Sequence, residues 1–361
     1  MLVGNVLTPQ GWVNGAMYFN DRIAKINGVT INPDHNDDDY ILPGFIDLHV
    51  HGGGGKDVMD AGDAVYVIAA THARHGTTSM LATTMTSPPS DLEHALKAIG
   101  HACWERKPGT ARVLGAHLEG PYINPEKLGA KPDYVQESTV DEVERLIALS
   151  VLSNAGMRVQ IGHTLGTYED GVQALQHGAS GFTHLFNAMS AFHHREPGMA
   201  GAALAHAQYS ELIPDLIHVH PGAIKTALRA IPNLYCVTDS TAATGMPDRE
   251  YMLGRQVVHK CMGGVRLADG TLAGSTLTMD QALRNLVSLG LEIADASRRV
   301  STYAADHLGL HDRGRLIQGS FADMVVLDRQ LNLKAVYVEG EQIDLTNSIE
   351  YSIEHNNEYN N

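Results

Sequence analysis

Leu42–Asp57 reads LPGFIDLHVHGGGGKD: an apolar run, two histidines one residue apart, and four consecutive glycines. Residues 45–51, FIDLHVH, read as a strand. Residues i and i+2 of a strand share a face, so His49 and His51 point the same way at its C-terminal end. Taken alone, the pair reads equally as two metal ligands or as two hydrogen-bonded core histidines before a flexible loop. The glycines are expected to let the backbone turn closely around whatever the histidines hold. GGGGK is not a phosphate loop, because a Walker motif needs Gly and Ser/Thr where Val50 and Asp57 stand.

From this strand outward the chain alternates. Further strands are expected at 77–85 (TTSMLATTM), 111–120 (ARVLGAHLEG), 158–164 (RVQIGHT), 181–189 (GFTHLFNAM), 211–219 (ELIPDLIHV) and 234–240 (LYCVTDS). Helix-like segments stand between them, among them DAVYVIAATHARH, DEVERLIALSVLSNAG and TYEDGVQALQHG. Such alternation predicts an α/β fold, a TIM-like (β/α)8 barrel, with one strand unit missing, since seven strands are read where a closed barrel wants eight. Both ends are strand-rich instead (NVLTP, GAMYFN, RIAKING; SFADMVVLD, LKAVYVEGEQI). The expected organisation is a small β-sandwich domain from residues 1–42 and 320–346, a barrel from 43–319, and a polar, mobile tail over 347–361.

Composition narrows the function. The 361 residues carry a net charge of −15, which argues against nucleic acid and anionic membranes as partners. No apolar run reaches membrane-spanning length and Met1 opens into a strand-like run, so a cytoplasmic protein is expected. Cys103, Cys236 and Cys261 form neither a CxxC pair nor a disulfide framework. The 20 histidines are the unusual feature and direct attention to metal ligands.

Polar groups of the required types recur at strand ends. HLEGPY places His117 and Glu119 on one face, RVQIGHT ends near His163, GFTHLFNAM carries His184, and LYCVTDS reaches Asp239. Any one of these is ordinary strand-end polarity. Converging with His49 and His51 at the same end of several strands, they make a divalent-metal site, most simply zinc, with iron, manganese or cobalt as alternatives.

HVHGGGG, HLEGPY, GHT, THLFNAM, HHREPGMAGAAL, VTDS with AATGMPD, and LAGSTLTM resemble the N-acetylglucosamine-6-phosphate deacetylases of the amidohydrolase superfamily, over about Pro43–Asp328. The resemblance implies roles. Glu119, His163 and His184 would be the main metal ligands, and His49 and His51 would complete a second position, giving one or two metals per subunit. Asp239 would be the general base and then acid. Asn187, Ala188 and Arg195 would hold the sugar phosphate, and Leu272 and Gly274 belong to a loop that would cover the sugar. His218 matches a histidine that would reach a neighbouring subunit's substrate, implying a homodimer.

Two departures stand out. Lys131 occupies the place of a family histidine that touches the substrate carbonyl; a lysine can still donate a hydrogen bond there, with less constraint. And DEVERLIALS runs straight into VLSNAGMRVQIGH, where relatives carry a further strand. The expected function is hydrolysis of the N-acetyl group of N-acetylglucosamine 6-phosphate, giving acetate and glucosamine 6-phosphate. The N-acetylgalactosamine 6-phosphate reaction is the nearest alternative. A dihydroorotase-like hydrolase is disfavoured, because Glu119 stands where a metal-bridging carboxylated lysine would be. In a different class, a non-catalytic sugar-phosphate binder fits the shortened barrel, and the retained ligand set and Asp239 oppose it.

Overall fold

The computed structural model describes residues 1–131, 134–135 and 157–346. The proposed helix over 141–156, the place of the missing strand unit and the tail 347–361 lie outside the described residues.

The two ends of the chain join one seven-stranded sheet. Leu2–Thr8, Gly11–Phe19 and Ile23–Thr30 form an antiparallel meander, and Tyr40–Pro43 returns parallel to the first strand. Met324–Leu327 then pairs with Tyr40–Pro43, followed by Leu333–Val338 and Glu341–Gln342. The inward positions Val6, Met17, Ile23, Ile41 and Met324 pack as one apolar cluster, the period-2 pattern that a one-sided sheet requires.

The central region is the α/β part. Phe45–Val50, Thr77–Thr84 and Arg112–Leu118 lie parallel in that order. Gln160–Ile161 pairs parallel with Gly181–Phe182, and Tyr209–Leu212 with Asn233–Cys236. The last pair connects back to the first strand: Asp239 N–H donates to His49 O and His51 N–H to Ser240 O, both at 2.9 Å. Leu185 N–H similarly donates to Glu211 O at 2.9 Å. The strands therefore follow one another around an axis in chain order. Among the described residues no ladder joins Arg112–Leu118 to Gln160–Ile161. Phe45–Val50 is buried throughout and nearly continuous in apolar character, as a strand covered on both faces must be. Helix starts are locally encoded: Thr167 and Asp170 form a capping box for Tyr168–Gln176, and Pro221 opens Pro221–Ala230 behind the His220 cap.

Several expected strands are shorter than predicted. Of 158–164 only Gln160–Ile161 is strand, of 181–189 only Gly181–Phe182, and the segment beginning at Glu211 leaves the ladder after Leu212. The lost residues form the turns that carry the site. A four-stranded antiparallel sheet over 250–275 went unread in the sequence, and Leu272–Ser275, expected as a loop, is its last strand.

Candidate active site and metal centre

His49 and His51 leave their strand on the same side. Both are essentially fully buried, and their Nε2 atoms approach to 3.3 Å. The four glycines do more than clear space. Gly52–Gly53 pairs with Lys56–Asp57 in a tight hairpin, and Gly54 and Gly55 N–H groups donate to Thr244 O and Ala242 O. A Cβ on Gly52 would stand 2.4 Å from Ala242 N, so the glycine run is the surface on which the loop after Asp239 docks.

Glu119 is the hub. Its Oε1 lies 3.0 Å from His163 Nε2 and 3.0 Å from His184 Nε2, which are themselves 3.0 Å apart. Its Oε2 lies 3.0 Å from His51 Nε2 and 3.4 Å from His49 Nε2. One carboxylate thus faces two histidine pairs, one oxygen to each. Asp239 closes the second group, with Oδ1 at 3.3 Å from His51 Nε2 and 3.5 Å from His49 Nε2. Ligands about 2.0–2.1 Å from a tetrahedral zinc stand roughly 3.3 Å from one another, and the 3.0–3.4 Å separations here match that spacing. The donor set, imidazole plus carboxylate, suits a divalent cation such as zinc.

Three of these residues owe their direction to strained backbone. His163, His184 and Asp239 have φ of 47°, 21° and 50°, the left-handed region that non-glycine residues seldom enter. Each follows its strand by two or three residues. The turn ends the ladder and swings the side chain to the axis, at about 1–3 kcal/mol per residue that the surrounding packing must offset.

The electrostatics follow from placing carboxylates and imidazoles together out of water. Burial alone would raise the Glu119 carboxyl, but the charges of Lys131 and His49 hold it well below the usual carboxylate range. Burial also opposes ionisation of Asp239, and the adjacent His49 and His51 reverse it, so Asp239 is held low. Burial opposes charge on His49 and His51 in turn, yet the surrounding carboxylates raise both. His163, desolvated by burial and next to the Lys131 cation, is lowered to about 4. His117, lowered to about 4 chiefly by burial, is no part of the centre: its Nδ1 meets Leu48 O at 3.1 Å and its ring packs edge-on against His49.

Of the expected substrate residues, Asn187, Ala188, His218, Leu272 and Gly274 line one cleft with Glu119 and Asp239. His218 lies on the wall of its own chain's cleft, its Nδ1 2.6 Å from Asp215 Oδ2; despite burial, that partner raises its pKa. Lys131 is there too, buried, with Nζ 2.6 Å from Glu119 Oε2. Arg195 is not brought to the cleft: it is exposed, with Nη1 2.7 Å from His194 Nε2.

The sequence reading passed over the residues beneath the centre. Asp47 accepts from Thr238 Oγ1 at 2.6 Å and from the backbone N–H groups of Thr238 and His49, and burial lifts it to about 7. Glu211, completely buried, meets His49 Nδ1 at 2.9 Å and Thr183 Oγ1 at 2.7 Å. The only signal for either was an acid inside an otherwise apolar run.

A mixed α/β chain whose strand ends gather imidazoles and carboxylates in one cleft is the arrangement of a metal-dependent hydrolase, and the Amidohydrolase family matches it over residues 40–343. This chain belongs to that family. Within it, the chain is similar to an N-acetylgalactosamine-6-phosphate deacetylase of Escherichia coli O157:H7, 37% identical over 93% of this chain and 97% of the relative. It is also similar to an N-acetylglucosamine-6-phosphate deacetylase of Lysinibacillus sphaericus, 39% identical over 81% of this chain and 83% of the relative. Among solved structures, the N-acetylglucosamine-6-phosphate deacetylase of Thermotoga maritima superposes with a TM-score of 0.86 at 30% identity, covering 95% of this chain and 99% of that one. No helix among the described residues is long and apolar enough to cross a membrane.

Proposed function

We propose that this chain removes the acetyl group of N-acetylglucosamine 6-phosphate, releasing acetate and glucosamine 6-phosphate. The observation that carries the reading is Glu119 facing His163 and His184 through one oxygen and His49 and His51 through the other, with Asp239 beside them in the cleft. These residues would hold one or two divalent cations, with zinc first. A cation so bound supplies Lewis-acid polarisation of the amide carbonyl and acidifies a water.

The chain's own groups do the rest. Asp239, whose carboxylate lies beside His51 and His49 in the cleft, takes the proton of the attacking water on a carboxylate oxygen. The same carboxyl then delivers it to the departing amine nitrogen. Lys131 Nζ, beside Glu119, is within the cleft to donate to the developing oxyanion. His218, its pKa raised by Asp215 despite burial, faces the anionic substrate together with Asn187 and the backbone at Ala188. Arg195 supplies a phosphate contact when its exposed loop meets the sugar phosphate, and a homodimer is part of this reading.

The galacto epimer is the second reading, carried by the similarity to the Escherichia coli relative along nearly its whole length. Acetate release from both 6-phosphates, by zinc-supplemented protein and by Asp239→Asn, tests the proposal. Turnover of one sugar, lost in the variant, establishes the reaction and the epimer. A folded protein that binds either sugar phosphate and releases no acetate is a binding protein, and the proposal fails.

A further inference from the structure

Glu211 belongs to neither histidine pair, yet protein groups surround both of its carboxylate oxygens. Its Oε2 receives Thr183 Oγ1–H at 2.7 Å, His49 Nδ1 at 2.9 Å and the His184 backbone N–H at 3.2 Å. Its Oε1 receives Gln160 Nε2–H at 2.7 Å and the Tyr235 hydroxyl at 3.5 Å. It has no exposure to water and sits in the strand Tyr209–Leu212, from which none of the proposed ligands comes.

An ionised carboxylate only accepts hydrogen bonds. At 2.9 Å, His49 therefore keeps a proton on Nδ1, and in the neutral form that ligates a cation its lone pair is on Nε2. That Nε2 is the atom facing His51, Glu119 and Asp239 at 3.3, 3.4 and 3.5 Å. We propose that Glu211 is a positioning residue of the metal centre: it fixes the tautomer and ring plane of His49, aims Nε2 at the His51 side of Glu119, and so builds the second cation position. The inference rests on the metal reading given above and adds to it the group that makes one of the two positions competent. His49, His117 and Glu211 also cluster closely enough to suggest a cation of their own. The two uses exclude each other, because His49 Nδ1 cannot both donate its proton to Glu211 and ligate a cation. The cluster is a support for the centre and not a further site.

The effect is directional. Outer partners of metal-ligating histidines typically change affinity about 10- to 100-fold when removed. Glu211 touches the side chain of His49 but only the backbone of His184, and it does not touch His163. The loss should therefore fall on the His49–His51 position and spare the Glu119–His163–His184 position. Zinc is titrated against a competing chelator into wild type, Glu211→Gln, which keeps an acceptor oxygen, and Glu211→Leu, which keeps none. The expected result is a weaker-site affinity reduced roughly 10-fold in Glu211→Gln and roughly 100-fold in Glu211→Leu, with the tighter site within about threefold of wild type. In parallel, 15N-histidine spectra of zinc-loaded wild type, with His49 assigned by its loss in His49→Gln, should show a proton on Nδ1 and none on Nε2.

Unchanged binding in both variants, equal losses at both positions, or a His49 proton on Nε2 each overturns the inference. The spectra decide it if Glu211→Leu does not fold. Wild type that binds one zinc without His49 and His51 overturns it and leaves the metal reading standing. Wild type that binds no zinc ends both.

Discussion

Lys131→Met offers the sharpest test of how the centre balances charge. Lys131 Nζ lies 2.6 Å from Glu119 Oε2 with both groups buried. At an effective dielectric of about 20, two unit charges at that distance attract by about 6 kcal/mol, most of it offset by desolvation. Removing one partner of such a pair costs about 3–5 kcal/mol, because the other charge stays buried without it. Across 361 residues, with an unfolding entropy of about 2.1 cal/mol/K per residue, that loss lowers Tm by about 4–7 °C in chelator-treated protein. In zinc-loaded protein the metal supplies the positive charge that Glu119 needs. Met keeps the apolar stem, so there the fall should stay under about 2 °C. Thermodynamic closure turns the difference, about 2–3 kcal/mol, into tighter zinc binding by roughly 30- to 150-fold in the variant. Calorimetric melting with and without zinc, plus a chelator competition, measures all three quantities. Equal Tm losses in both forms, or an unchanged zinc affinity, would refute the reasoning and return Lys131 to a substrate-only role.

Other perturbations address separate parts of the molecule. Glu211 is depressed to about 2, with burial opposed by the His49 charge and hydrogen bond. Its stabilisation is present above the unfolded carboxyl value and is lost as pH falls toward 2, about 3 kcal/mol in all, so Glu211→Gln should flatten the acid limb of metal-free stability measured by urea unfolding. Asp57, lifted to about 6 chiefly by burial, acts in the opposite sense: its stabilisation is complete below its unfolded value and is lost as pH rises through about 6, so Asp57→Asn should remove the decline between about pH 4 and 6. Gly52→Ala drives a Cβ to 2.4 Å from Ala242 N and 2.6 Å from Lys56 O; it should cost about 1–3 kcal/mol in urea unfolding and lower kcat/KM by displacing His51. Arg195→Ala removes an exposed guanidinium, and should leave Tm within about 1 °C of wild type while raising KM for the sugar phosphate with little change in kcat.

How much of this was legible before folding depends on whether the signal was local. His49 and His51 declared themselves through strand periodicity, and their approach to 3.3 Å follows directly from it. His163, His184 and Asp239 were legible as strand-end residues, although the strands stop earlier than the sequence suggests. The β-like pattern continues through residues whose positive φ breaks the ladder, and no propensity rule anticipates that strain. The terminal sheet was legible because apolar residues alternate between Gly, Asn and Asp turns. The sheet over 250–275 was not, since strands of three to six residues with exposed alternate positions leave too little pattern to read. Glu211 was illegible for a different reason. Its partner His49 is 162 residues away, and one acid in a short strand gives no hint of that pairing. Lys131 was read as a departure in a substrate contact, whereas the structure gives its ammonium to Glu119.

The loop after Leu118 shows how Glu119 and His163 are joined where, among the described residues, no strand ladder does it. On the other side of the axis, backbone hydrogen bonds stitch His49 and His51 to the turn at Asp239 and Ser240. Between Glu119 and His163 the loop after Leu118 takes that part. Asn124 N–H donates to His163 O at 2.9 Å, and His163 Nδ1 donates to Lys127 O at 2.6 Å. The second bond settles the tautomer of His163 as Glu211 settles that of His49, since a carbonyl only accepts and Nε2 is left with its lone pair toward Glu119 Oε1 at 3.0 Å. The same loop carries Lys131, whose ammonium reaches the other oxygen of Glu119. One loop therefore orients a ligand of one histidine pair and places a charge beside the oxygen facing the other. A change that moves Lys127 or Asn124 should act on both halves of the site together, whereas a change at Glu211 acts on one.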